Sequence, residues 1–217
     1  MSRAGAIAVF VAATVVLTGS PAREARADMI DTSSMAAWEH CALCHSADGI
    51  SRTARFPKLA GQKAAYIEKQ VRDFKSGRRS NDGGPMQTNT EELTEADIKS
   101  VSVYFAKLSP PAPVALDEVD ADLEMGRALF EGGKPETGVA ACASCHVGPG
   151  QAGILAPHIT AQHAGYLQKQ LAEFRDGSRD NDTDGQMRRV AATLNDAEIA
   201  AVSAYAATLE RKIGAAP

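Results

Sequence analysis

Apolar positions recur at helical spacing in two blocks of the chain that mirror one another. Between residues 62 and 75, Tyr66, Gln70 and Phe74 share one stripe, with Ile67 and Val71 beside it. Between 162 and 175, Tyr166, Leu167, Leu171 and Phe174 form the same stripe. A second helix in each block carries Ile98, Val101, Phe105 and Leu108, and then Ile199, Val202, Tyr205 and Leu209. Thr94 with Asp97, and Asn195 with Glu198, have the spacing of capping boxes that open these helices. Residues 46–61 and 147–161 are rich in Gly, Pro and Ser and read as loops. No run alternates apolar and polar residues over a useful length, so the expectation is an all-α protein. The amino terminus follows a different pattern: Arg3, an apolar run over 4–17, then Gly19, Ser20 and Pro21. About 14 apolar residues fall short of the roughly 20 that a membrane span needs. Residues 1–27 therefore read as a secretory signal peptide with cleavage after Ala27.

The two blocks are one unit written twice. Tyr66, Gln70, Phe74, Gly77, Arg79, Asn81 and Asp82 return at Tyr166, Gln170, Phe174, Gly177, Arg179, Asn181 and Asp182. Leu93, Ile98, Val101 and Tyr104 return at Leu194, Ile199, Val202 and Tyr205. A period near 100 residues is a domain duplication, too long for a solenoid. Pro110, Pro111 and Pro113 halt the preceding helix and precede an acidic stretch. The expected layout is an N-terminal domain at 28–109, a linker at 110–118 and a C-terminal domain at 119–217.

Composition narrows the function. The 217 residues carry a net charge of −4, and removing 1–27 leaves −6. An acidic chain is a poor general nucleic-acid binder. An export signal directs it to the periplasm of a bacterium, where free thiols are normally oxidised or otherwise occupied. Only 5% of residues are aromatic, so two cores of this size call for another filler.

All four cysteines lie in two motifs, Cys41-Ala-Leu-Cys44-His45 and Cys142-Ala-Ser-Cys145-His146. Cys-x-x-Cys-His is the attachment signature of c-type haem. The two thiols form thioethers with the haem vinyl groups, and the adjacent histidine lies under the iron. Zinc would need four ligands close together, and each half offers three. A redox-active dithiol would be expected in a βαβ setting, which is absent here. Met86 and Met187 each follow their motif histidine by 41 residues, despite gaps between the repeats. They are the candidates for a sixth iron ligand opposite His45 and His146. His/Met ligation raises the potential relative to two histidines and closes the iron to other ligands, which favours electron transfer over oxygen or peroxide chemistry. The carbonyls of Pro57 and Pro157 are candidate acceptors for the other histidine N–H, the alternative being simple turn prolines. Tyr66, Tyr166, Arg79, Arg179, Gln62 and Gln162 are candidates to bond the haem propionates or line the boundary between domains, the alternative being surface or packing roles. His158 and His163 align with Lys58 and Lys63, so they are not a repeated ligand and read as surface or loop residues.

The run from Phe56 through Pro57, Gly61, Gln62, Tyr66, Gln70, Phe74 and Gly77 to Arg79, set between the haem motif and Met86, resembles the dihaem cytochrome c4 family over nearly all of 30–212. The resemblance implies two class I cytochrome c folds about a pseudo-twofold axis, with two covalent haem c groups, each His/Met ligated. It implies a monomeric electron carrier that is not an enzyme alone and at most peripherally attached to the membrane. Its implied route runs from the cytochrome bc complex toward a haem–copper terminal oxidase. The alternative is a dihaem subunit of an oxidoreductase complex, such as flavocytochrome c sulfide dehydrogenase. A dihaem peroxidase would need an open iron position. The chain departs from a strict repeat at Thr160-Ala161, which replaces Ala60-Gly61, and by an insertion over 131–138. Basic residues from Arg52 to Arg79 read either as a solvated face or as one pole of a dipolar molecule, since residues 116–217 hold 15 acidic and 9 basic groups.

Overall fold

The computed structural model describes residues 35–147 and 155–212. The signal segment at 1–27 and residues 148–154 of the second loop lie outside them. Among the described residues the chain is helical, with a single bridge between Lys134 and Val139 as its only extended pairing. No described helix is long and apolar enough to cross a membrane. The first domain holds α1 (Ala37–His45), α2 (Ala64–Lys75), α3 (Pro85–Thr90) and α4 (Glu95–Lys107). The second holds α5 (Leu123–Gly132), α6 (Cys142–His146), α7 (Ala164–Asp176), α8 (Gln186–Ala191) and α9 (Asp196–Thr208).

Local chemistry sets the helix ends. The Asp97 backbone N–H donates to Thr94 Oγ1 (3.2 Å), and the Thr94 N–H donates to the Asp97 carboxylate (2.9 Å). Asn195 and Glu198 make the same reciprocal pair at 2.9 and 2.8 Å. Both capping boxes form as their spacing predicts. Pro85 opens α3 at the position where a missing N–H costs nothing. The Asp82 carboxylate accepts the N–H groups of Gly84 (3.1 Å) and Met86 (2.6 Å), which anchors the start of that helix.

Each core forms where the domain's last helix crosses the helices before it, α4 against α1 and α2, and α9 against α5 and α7. Ile67, Val71, Ile98, Val101 and Phe105 make the first, with Trp38 and Cys41 packed against it. Trp38 stacks on Tyr104 with ring centroids 4.0 Å apart. Phe130, Leu167, Val202 and Ala206 make the second, with Tyr205 edge-on to Phe130. The domains differ in how the haem motif joins this crossing. In the first, α1 both crosses α4 and carries the motif. In the second, the insertion divides that role between α5 and α6. Gly133 turns with φ +77°, and Lys134 and Val139 exchange backbone hydrogen bonds at 2.8 and 3.1 Å. Lys134 Nζ then ties the turn to Glu198 at 2.8 Å.

The α5–α9 crossing depends on Gly126, where an added Cβ would lie 2.3 Å from the Ala201 carbonyl oxygen. That atom belongs to backbone and cannot swing aside. Gly126→Ala is expected to destabilise the second domain by about 3 kcal/mol, the upper range for overpacking. A thermal melt of the holoprotein followed by circular dichroism checks it, the expected result being a clear fall in Tm.

Candidate haem sites and the boundary between domains

Helix α1 places Cys41, Cys44 and His45 along its last turn, with His45 buried. The His45 ring lies edge-on to Phe56, and its Nδ1 is 3.0 Å from the Pro57 carbonyl oxygen. In the second domain His146 Nδ1 is 2.8 Å from the Pro157 oxygen. A carbonyl only accepts, so Nδ1 carries the proton in both rings. Nε2 is thereby left with its lone pair, the state a metal-binding imidazole needs. Burial pushes both histidines below their ordinary range, and the proline carbonyls offset part of that shift. The neutral ring is the one the fold selects. Burial likewise pushes the Cys41 and Cys142 thiols up to about 11. These are environments for uncharged sulfur, such as a thioether, and not for the low-pKa thiolate of a dithiol oxidoreductase.

Cys41, Cys44, His45 and Met86 line one cavity of about 550 Å³, walled mainly by apolar side chains that include Leu59 and Phe74. A flat apolar cofactor attached through Cys41 and Cys44 and held from either side by an imidazole and a thioether fits this donor set. Met86 is half-buried near the start of α3, and Met187 occupies the matching place on α8. The Asp182 carboxylate anchors α8 by accepting from the Arg188 backbone N–H (3.1 Å) and side chain (2.9 Å). Among the described residues no three His, Cys, Asp or Glu side chains converge as a zinc centre would require.

The cavity wall continues into the second domain through Gln162, Tyr166 and Gln170. Here the repeated polar residues meet. Arg79 donates to Gln170 Oε1 (2.9 Å) and Tyr166 Oη (3.3 Å), while Arg179 donates to Gln70 Oε1 and Tyr66 Oη, both at 3.2 Å. Asn81 Nδ2 reaches the Glu173 carboxylate, and Asn181 Nδ2 reaches that of Asp73, both at 2.6 Å. Arg79 stacks over Phe74 and Arg179 over Phe174. Each of these contacts has its mate under exchange of the repeats, which is the signature of a pseudo-twofold axis. The fold puts Tyr66, Tyr166, Arg79, Arg179, Gln62 and Gln162 at the domain boundary, and Gln62, Tyr66, Arg79, Gln162 and Tyr166 also line the cavity.

Two expectations need correction. His158 lies in a loop but not on the surface: it is buried at this boundary, and desolvation, with Lys63 and Arg211 nearby, pushes it down to about 4. The basic stretch from Arg52 to Arg79 is not one solvated face either. Lys58 and Arg79 are buried, Lys69 spans the boundary to the Asn181 carbonyl (2.7 Å), and Arg52, Arg55, Arg72, Lys75 and Arg78 are exposed. Lys58 turns inward because its Nζ donates to the Ala161 carbonyl (3.0 Å). Arg211 was not foreseen. It has no basic counterpart in the first repeat, yet it bonds Ala60 O (2.6 Å) and Thr160 O (3.0 Å) and so joins the two histidine-side loops. Burial pushes its guanidinium down to about 10, still charged at neutral pH. The usable signal for this boundary was polar identity between the repeats at Gln62, Gln70, Arg79 and Asn81, where a lone domain would need none.

Two helical domains, each carrying a haem attachment motif at the end of a helix, α1 in the first and α6 in the second, define a tandem c-type cytochrome. The cytochrome c family profile matches residues 33–109 and 124–210. The chain is 42% identical to cytochrome c4 of Pseudomonas aeruginosa over 171 residues, 76% of this chain and 81% of that one. The structure of reduced cytochrome c4 from Pseudomonas stutzeri superposes with a TM-score of 0.68 at 36% identity, covering 78% of this chain and 93% of that chain. A thiosulfate dehydrogenase electron acceptor of Stutzerimonas stutzeri is 35% identical over 79% of this chain and 80% of its own length. The chain belongs to the cytochrome c family and, within it, to the cytochromes c4. It is a dihaem electron carrier with two covalent haem c groups, attached through Cys41 and Cys44 and through Cys142 and Cys145.

Proposed function

We propose that this carrier works in the periplasm and shuttles single electrons from the cytochrome bc complex toward a haem–copper terminal oxidase. Bound haem supplies a one-electron iron couple, and the chain supplies the ligands, the insulation and the docking surface. His45 and His146 would hold the iron through Nε2, with Met86 and Met187 as the further ligands, and Pro57 and Pro157 keep the imidazoles in the required tautomer. Residues 28–109 and 119–217 are the two carrier domains, joined by the linker at 110–118, and cleavage after Ala27 releases them as a monomer. The observation that carries this reading is the repeated unit of a buried, neutral histidine on a proline carbonyl with a methionine 41 residues on. A carrier with both axial positions filled has no place to bind oxygen or peroxide, so it is not catalytic by itself.

A second reading is favoured by the thiosulfate dehydrogenase electron acceptor among the relatives: the donor is then a sulfur-compound dehydrogenase and not the cytochrome bc complex. In place of a flavocytochrome, the same carrier would then serve that dehydrogenase. Stopped-flow mixing of the reduced protein with oxidase-bearing membranes tests the first reading. The expected result is rapid reoxidation that slows several-fold between about 0.01 and 0.15 M salt, because the Debye length shortens from roughly 30 to 8 Å while an acidic second domain steers the encounter. Reduction by thiosulfate with its dehydrogenase, and none by the cytochrome bc complex, would favour the second.

A further inference from the structure

At the domain boundary each histidine-orienting peptide is gripped from the other domain. The peptide group between Pro57 and Lys58 offers its carbonyl to His45 Nδ1 (3.0 Å). The N–H of that same peptide group donates to Gln162 Oε1 at 2.9 Å. Gln162 Nε2 completes the clasp by donating to the Lys58 carbonyl at 3.0 Å. The mirror arrangement is present as well. His146 donates to Pro157 O (2.8 Å), the following His158 N–H donates to Gln62 Oε1 (2.9 Å), and Gln62 Nε2 donates to His158 O (2.9 Å). Each Oε1 also accepts the N–H of the residue after it, Lys63 or His163, at 3.0 Å. Two backbone donors on one oxygen fix which end of the amide is which. Gln62, Gln162, Lys58 and His158 are all buried, so water cannot replace a missing partner.

We propose that Gln62 and Gln162 are positioning residues that act across the boundary, each tuning the haem histidine of the domain it does not belong to. The route is a chain of three groups: imidazole N–H, peptide, glutamine oxygen. Hydrogen bonds in series polarise one another. An acceptor on the peptide N–H makes its carbonyl oxygen more negative. A more negative oxygen draws the imidazole proton more strongly and gives the ring more imidazolate character. That favours the ferric state, so each glutamine lowers the potential of the opposite haem. The inference rests on the axial reading of His45 and His146 given above.

The test uses the full-length holoprotein. Redox titration, with haem methyl NMR resonances assigned to each domain, is run on Gln162→Leu and its mirror Gln62→Leu. In Gln162→Leu the first-domain potential is expected to rise while the second stays in place. At half reduction, the ratio of reduced first haem to reduced second haem should increase about threefold, the scale of part of one net hydrogen bond. Gln62→Leu should do the opposite, and Gln162→Glu, which keeps an oxygen acceptor, should return the first potential toward or below its native value. Hydrogen exchange at the Lys58 amide should quicken in Gln162→Leu. A shift confined to the mutated residue's own domain overturns the proposal, as do equal shifts in both haems and unchanged potentials alongside a faster Lys58 amide. Failure of the axial reading would show separately, as unmodified protein lacking His/Met spectra before any variant is made.

Discussion

Met86→Ala holoprotein is expected to bind one carbon monoxide per molecule when reduced, whereas the unmodified protein binds none. Met86 enters the cavity from α3, whose first turn is held by Pro85 and the Asp82 carboxylate. Alanine keeps the helix and removes the one methionine that lines this cavity among the described residues. The first-domain potential should fall by on the order of 0.1 V, within the roughly 0.8 V that axial ligands span, because a thioether favours the ferrous state. The second domain should keep its spectrum, since Met187 is on a separate helix. Met86→Ala with Met187→Ala should bind two. Carbon monoxide titration of the reduced protein reads the stoichiometry directly. If the single variant stays inert to the gas and retains its potential, another side chain holds the sixth position.

The apoprotein, made without haem attachment, is expected to lose most of its helical circular dichroism and to melt without a cooperative transition. The cavity bounded by Cys41, His45 and Met86 measures about 550 Å³. An empty core cavity costs about 24 cal/mol per Å³, which gives on the order of 13 kcal/mol as an upper bound for a cavity with a mouth to water. Ordinary domains are stable by about 5–15 kcal/mol in total. The remaining core, five buried side chains from Ile67 to Phe105 in the first domain, is too small to carry that load. Only 5% of the residues are aromatic, which fits a core completed by its cofactor. A sharp melt with near-native helix content would show that the polypeptide is self-sufficient.

Most of the helical content and both attachment motifs were legible from residue spacing. The capping boxes at Thr94 and Asn195 involve residues three apart, so the geometry of one helical turn decides them. The motif histidines meet prolines 12 and 11 positions further along the chain, again a short-range matter. The boundary network was half legible: Gln62, Tyr66 and Arg79 were singled out with their mates, but their two possible roles were not separated. His158 was misjudged because its neighbours in sequence are loop residues, while its neighbours in space are Gln62 and Arg211.

Haem attachment and helix placement follow from the chain alone, because thioether reach, capping and helical stripes act over a few positions and survive in any context. Which polar groups are buried, and which domain orients which histidine, depended on bringing residues about 100 apart into contact. Lys58 and Gln162 carry no local mark of their pairing. It exists because two copies of one fold pack about an axis, and the side-chain amide of one then replaces water on the backbone of the other.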